Sequence, residues 1–592
     1  MTAAGAPATP AAGGPVLPAT PAAGVPVLPA APAAGVPVLP ATPAAGAPVL
    51  PAAPAAELPA RRAAPATRPT HLWPRLAPAL VAAALGAIYV IVSPPSIDLA
   101  AHLFRARLFA REGFSIWNDY WYAGHDTPGY SVLFPAASAV LSPQVAAALA
   151  STATAALFEP LARRHYGRRA WLGAVLFAGA TAIDLYTGRL ALAFGTLPAL
   201  GAIVALDRRR TAPACGLAAL SAACSPVAAL FAALAAAGCA VAAVISQRRI
   251  RPGLAATSVA VAALAPVGAL AIAFPEGGTE PFGLGTLVPL LALAGAALTL
   301  LPPDAFRVRS GIAVYAAATL LVFLIPSPIG SNIARLGTLI AAPLAALHWW
   351  RQRTMLLALV ALPLLYMGWQ APVTDVAVTI HDPSVSAAYY RPLLRFVKDQ
   401  PGVFRIEIPL TRSHWEAYYV AGSVPVARGW ERQLDIRDNP LFYRGRLSPA
   451  SYRAWLHRDA VRYVALPDAP LDDSAVREAA LIRGGLPYLR PVARLRHWRV
   501  FAVENPTPLA TGAAILTAMG ADSLTLRART AGTTFVRVRF TPYWAVADGA
   551  GCVSPDGGFT RLTLPRPGDV RLVIRFSLGR MISDATRCSP RR

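Results

Sequence analysis

The sequence predicts a polytopic α-helical membrane protein, with about eleven transmembrane helices followed by a C-terminal region of α/β and β-sandwich character. Three observations carry that expectation. Of 592 residues, 55% are hydrophobic and only 14% charged, and mean hydropathy is positive, a composition of lipid-embedded chains. Between Leu76 and Trp369 apolar runs alternate with short turns, and every second turn is rich in arginine. From residue 371 onward the apolar runs give way to charges, aromatics and alternating patterns.

The net charge of +24 does not point to nucleic acid. The basic residues are almost all arginine, with Lys398 the only lysine, and many lie in clusters between apolar runs. That is the pattern of cytoplasmic membrane loops, and no basic block or nucleic-acid module accompanies it.

Residues 1–70 are rich in proline and alanine and contain an eleven-residue repeat, TPAAGGPVLPA and its variants, from Thr9. Such a composition cannot build a core, so a disordered cytoplasmic tail is expected. The next region, 71–370, is expected to be the transmembrane domain. Its first span is Leu76–Val92, and Arg61, Arg62, Arg68 and Arg75 before it place the N-terminus in the cytoplasm. A long first outer loop, 93–130, follows. The later runs are Ser131–Leu161, Ala170–Ile183, Leu190–Leu206, Ala212–Cys224, Val227–Ile245, Leu254–Phe274, Leu284–Leu301, Ile312–Ile325, Leu336–Trp350 and Met355–Trp369. Their arginine-rich turns all fall on one side, which leaves the C-terminal region extracytoplasmic and the protein multi-pass in the plasma membrane.

Residues 371–507 alternate amphipathic helix and strand patterns, with strands at Val403–Ile408 and Val461–Leu466, so a small α/β domain is expected. Residues 508–592 change to a period of two, at Ser523–Arg529, Thr534–Phe540, Phe559–Leu564 and Asp569–Phe576, as in a β-sandwich. Cys215, Cys224 and Cys239 read as small apolar residues. Whether Cys552 and Cys588 form a disulfide is left open.

The unusual polar residues of the membrane region fall on the side opposite the arginine turns. They are Asp98, His102, Trp117, Asp119, Tyr122, His125 and Asp126 in the first loop, Asp184, Tyr186 and Arg189 in the second outer turn, Glu276 and Glu280 in the fourth, and Asn332 and Arg335 in the fifth. Ionisable groups at a membrane boundary are costly unless they pair or line a cavity, so their gathering on one side implies a shared pocket. Asp98 and His102 are four apart and share a face if the segment is helical. Structural roles stand beside the functional ones. Asp98 suits a helix N-cap, Trp117, Trp121 and Tyr122 suit an interfacial aromatic belt, and Arg189 and Arg335 suit snorkelling toward headgroups. Farther on, His414-Trp415-Glu416 and Arg428-Gly429-Trp430-Glu431 suit either carbohydrate contact or an aromatic core.

The acid just after the first span, in IDLAAH, the long first loop and the C-terminal region together resemble the GT-C superfamily of membrane glycosyltransferases. DLAAHLFR followed by WNDYWYAGHDTPGYSVLFP, with TGRLALAFG, SPV and GSNIARL, is similar to the bacterial six-pyruvoyl-tetrahydropterin-synthase-related membrane proteins. FTPYWAVADG is similar to the tail of the YfhO-type group. The resemblance implies a transferase that moves a sugar from a polyprenyl-phosphate donor to an envelope glycan or lipid acceptor on the outer face. It makes Asp98 the catalytic base and Arg189 and Arg335 the groups that meet the departing phosphate. His102, Trp117, Asp119, Tyr122, His125, Asp184 and Asn332 would contact donor or substrate. A divalent metal, Mg or Mn, would be held by Asp98 and His102 with oxygens of phosphate and water. Two other functions compete, a non-catalytic envelope scaffold of the same fold and a transporter or lipid flippase. The sequence does not give the oligomeric state.

Overall fold

The computed structural model describes residues 73–246, 248–582 and 586–588. The eleven-residue repeats and the expected N-terminal tail lie outside them. Seven helical elements are long and apolar enough to cross a membrane: Trp73–Val92, Pro143–Tyr186, Leu190–Asp207, Pro226–Ile245, Ile250–Ala273, Phe306–Leu324 and Thr354–Thr379. Pro143–Tyr186 is folded at the 3-10 turn Gly167–Arg169, and its two limbs pack against each other and against Trp73–Val92. Thr211–Cys224 and Leu284–Leu300 are apolar but shorter, and Ala334–Trp349 has 16 residues.

Small side chains let these helices approach closely. A Cβ on Gly86 would lie 3.2 Å from that of Ala148, and Ala202, Ala214, Ala218, Ala222, Ala233 and Ala263 form one shared core. Close backbone approach is what binds helices where lipid supplies no hydrophobic drive. The sequence suggested one apolar pass over Ser131–Leu161. The structure divides it at Ser142, whose φ of 70° is incompatible with helix. Helix Phe134–Leu141 ends there, and Pro143–Tyr166 begins with proline at its first position and the Ser142 hydroxyl accepting from the Val145 N–H at 3.3 Å.

The first loop is folded, not extended. After Ser93, Pro94 and Pro95 stop the first helix, a second runs from Ile97 to Glu112 with Asp98 in its first turn and Ser96 at the N-cap. It buries Leu99, Ala100, Ala101, His102, Phe104 and Arg105, residues on nearly every face, so protein encloses it. A short hairpin follows, Trp117–Asn118 against His125–Asp126. Tyr122 and Ala123 at its tip hold φ of 57° and 63°, a conformation side chains resist unless surrounding structure enforces it.

Beyond Thr379 the chain builds two further layers. A mixed four-stranded sheet, ordered Arg405–Glu407, Val461–Pro467, Trp498–Val503, Leu489–Leu495, has its first pair parallel and the rest antiparallel. Helices Ala387–Lys398, Pro449–Arg458 and Asp473–Arg483 accompany it. The last region forms sheets of five and four strands around Leu524, Leu526, Val536, Val538, Trp544, Leu562 and Leu572. A disulfide joins Cys552 to Cys588.

The loop hairpin is the piece that both C-terminal layers grip. Trp117 enters the sandwich core, the Asp119 N–H donates to the Ala521 carbonyl at 2.7 Å, and the Arg539 Nε donates to the Tyr122 carbonyl at 2.7 Å. From the α/β side, the Val426 N–H donates to the Tyr120 carbonyl at 2.9 Å.

Candidate functional site

A cavity of about 710 Å³ lies where the first-loop helix, the helix bundle and the α/β layer meet. Its volume falls in the range of small-molecule sites, about 300–1,000 Å³. Asp98, Arg189, and Asn332 with Arg335, from three separate segments, all reach its wall. The α/β layer supplies His414 and the run Gly429–Asp435, and the turn after Ile250–Ala273 supplies Glu276 and Glu280.

The Asp98 corner is built by backbone constraints. Gly188 has φ +73°, and a Cβ there would lie 2.2 Å from Ser96 Oγ and 3.0 Å from Asp98 Cβ. Only glycine lets the turn before Arg189 lie against the start of the Asp98 helix. Among the described residues, Asp98, Arg189 and Arg335 make no side-chain hydrogen bond and no ion pair within 4.0 Å. They are nonetheless close enough to act on one another. Asp98 is deep in the protein yet only half-buried, because it borders the cavity. Burial pushes its carboxyl above the ordinary range, opposed by Arg335, Arg189, His414 and Arg105. Three uncommitted charges around a partly dry hollow are expensive to keep.

Another part of the wall is held by committed charges. Arg105 pairs with Glu431 in a buried bridge and lies 3.9 Å from the Tyr130 ring centroid. The His125 Nδ1 is 3.1 Å from Glu276 Oε1 and 2.8 Å from the Asp126 carbonyl. Asn118 settles which nitrogen carries the proton. Its Oδ1 accepts from the Tyr120 N–H at 3.0 Å, so its Nδ2 faces His125 Nε2 at 3.0 Å as donor, and the proton sits on Nδ1. Burial, then Glu431, pushes the Glu276 carboxyl well up, while burial and Glu276 push Asp126 to about 8.

The other expected site residues lie off the cavity wall. His102 is buried between Tyr130 and Phe134, with Tyr130 Oη 3.5 Å from its Nε2, and burial together with Arg105 pushes its imidazole down to about 3. Trp117 donates to Asp119 Oδ1 at 2.6 Å inside the sandwich interface. The Trp121 ring stacks 4.4 Å from that of Phe104 and 5.6 Å from that of His125. The Tyr122 hydroxyl donates to the Glu431 carbonyl at 2.9 Å. These three rings and Asp119 are core, so the donor or substrate contact expected of Trp117, Asp119 and Tyr122 is not made at the cavity wall. His125 touches it only through Glu276. Asp184 is buried behind Arg189, whose N–H donates to its carbonyl at 2.8 Å.

A metal at Asp98 and His102 does not fit, because His102 is turned into protein. His125, Glu276 and Glu431 present donor atoms within 4.8 Å of one another, yet the imidazole's Nδ1 proton lies between the Asp126 carbonyl and Glu276, and Glu431 is bound to Arg105. Aromatics that do reach the wall are Trp430, Tyr130, Phe274 and Tyr443, and the Trp430 and Tyr130 centroids are 6.4 Å apart. The RGWE run hinted at Trp430 in the sequence. Arg105 carried no local sign, since its partner is 326 residues away. Compared with models of known protein families and with curated proteins, the chain matches none.

Proposed function

We propose that the protein is a membrane glycosyltransferase of GT-C type that moves a sugar from a polyprenyl-phosphate donor to an envelope glycan or lipid acceptor. The observation that carries this reading is the cavity corner where Asp98 faces Arg189 and Arg335 with none of the three paired. Two neighbouring guanidiniums without a carboxylate partner suit a phosphate, and an unengaged carboxylate beside them suits a proton acceptor.

In the proposed reaction the acceptor hydroxyl gives its proton to Asp98 as its oxygen bonds to the anomeric carbon. The bond from that carbon to the phosphate oxygen breaks, and the polyprenyl phosphate leaves with the electron pair. Arg189 and Arg335 stabilise the charge gathering on that phosphate. Asp98 must be ionised to act, and its raised carboxyl makes the rate climb with pH through that ionisation. No step is assigned to a metal.

The same reading sets the chain in the plasma membrane with about eleven passes, counting the two limbs of Pro143–Tyr186 and the three shorter apolar helices. The N-terminus is then cytoplasmic and the cavity extracytoplasmic. The arginine turns support this orientation, as does a disulfide in the C-terminal layer, since disulfides persist in oxidising compartments. The polar groups gather at one end of the bundle, whereas a transporter needs them at mid-span.

The test is transfer of labelled sugar from membrane polyprenyl-phosphate sugars by the full-length protein in proteoliposomes. Asp98→Asn is expected to lower the rate about 10²–10⁴-fold with thermal unfolding unchanged. Undiminished transfer in Asp98→Asn removes the assignment.

A further inference from the structure

The part of the wall formed by Trp430, Glu276 and Glu431 differs in chemistry from Arg189 and Arg335. Trp430 lies half-buried on it, and its indole N–H donates to the Ile97 carbonyl at 3.0 Å, one residue before Asp98. With that donor engaged, what Trp430 offers a ligand is ring surface, fixed in direction and adjacent to Asp98. Tyr130 meets it edge to face and is itself held by Arg105.

Beside these rings are two carboxylates, each anchored by one oxygen. Glu431 Oε1 is held by Arg105 and Glu276 Oε1 by His125. Their side chains are 9% and 12% exposed, both residues border the cavity, and their second oxygens make no hydrogen bond among the described residues. Immobile acceptors next to an immobile aromatic face suit a ring that presents C–H groups on one side and hydroxyls at its edge. They do not suit an acid. Arg105 is the only described cation paired with either carboxylate, apart from the His125 contact, and it is committed to Glu431. A further negative charge there would be desolvated beside Glu431 and against Glu276, whose own ionisation burial and Glu431 already oppose.

We propose that Trp430, Glu276 and Glu431 form a subsite for a sugar ring without an acidic substituent, seated against Asp98. The identity of that ring as donor or acceptor rests on the transferase reading. Its chemical class does not.

Saturation-transfer NMR and calorimetry on the full-length protein in lipid nanodiscs test this, with methyl hexosides and the corresponding methyl uronoside as probes. A methyl hexoside is expected to bind, and the uronoside at least tenfold more weakly. Trp430→Ala and Glu276→Gln should each weaken hexoside binding about tenfold, with Trp430→Phe, which keeps a ring, intermediate and available should the alanine variant not fold. Preloading with a short prenyl-phosphate hexose distinguishes the sources. Loss of methyl hexoside binding assigns the subsite to the donor sugar, and its persistence assigns it to the acceptor. Equal or tighter uronoside binding, or hexoside binding indifferent to both Trp430→Phe and Glu276→Gln, overturns the proposal. Prenyl phosphate binding that ignores Arg189 and Arg335 while the hexoside preference holds would instead remove the transferase reading and leave the subsite.

Discussion

At the end of the bundle where residues 93–130 fold, Arg105 and Glu431 pair with side chains 6% and 9% exposed. At the other end, Asp207 gathers Arg164 and Arg307, each 56% exposed, and His165, 37% exposed. The helix Leu190–Asp207 joins the two, with Arg189 before its first residue and Asp207 as its last, about 27 Å apart. Exposed arginines keep their hydration and need no fixed partner, so many can crowd one end at little cost. Buried charges must be paired or held for a purpose. The same residue types are therefore exposed and crowded at one end and buried and paired at the other.

The contrast breaks most readily at its strongest contact. Arg105→Met should leave Glu431 buried without its partner and destabilise the fold by about 3–5 kcal/mol, whereas Arg164→Met should change it by less than about 1 kcal/mol. Thermal unfolding in nanodiscs reads both, and similar small shifts would mean that the cavity end is as wet as the other. A matched pair of glycines sharpens the point. Gly188→Ala drives a Cβ into Ser96 and Asp98 from a φ of +73°, while Gly167→Ala, at φ +60° in the arginine end, meets nothing within 4 Å. Both carry the strain of a side chain at positive φ, about 1–3 kcal/mol, but only the first adds a clash, so it should cost more and also lower transfer activity, which the second leaves unchanged.

Acid should act through His102. Its imidazole is held neutral down to about 3 in the fold against an ordinary 6.5, so below pH 6.5 the unfolded chain takes up a proton the native protein does not. Stability from this group is complete above pH 6.5 and falls as pH drops toward 3, by up to about 1.4 kcal/mol per pH unit. His102→Phe should flatten that part of the stability profile, and an unchanged slope would place the acid sensitivity elsewhere.

Much of this layout was legible from residue pattern. Apolar runs and arginine turns mark the helices, and the period-two run Phe559–Leu564 and the strand-like run Val461–Leu466 nearly coincide with strands Phe559–Leu564 and Val461–Pro467. Asp98, Arg189, Asn332 and Arg335 stood out because they are polar residues in the turns on the side opposite the arginine clusters. What they face was not legible, nor was the fate of Trp117, Trp121 and Tyr122. A loop's aromatics look alike whether they meet a ligand or a core, and here the partners of the hairpin lie hundreds of residues away. The break at Ser142 escaped for a local reason, since nothing in an apolar run announces a serine with positive φ.

On the proposed function, Arg189 and Arg335 keep their charge for a phosphate. Binding of a short-chain prenyl phosphate to the full-length protein in nanodiscs, compared among wild type, Arg189→Ala, Arg335→Ala and the arginine-end control Arg164→Ala, tests it most directly. The account predicts at least a tenfold loss, about 1.4 kcal/mol, in each cavity variant and none in the control. Equal affinity in all four proteins, or a loss in the control as large as in the cavity variants, would contradict it.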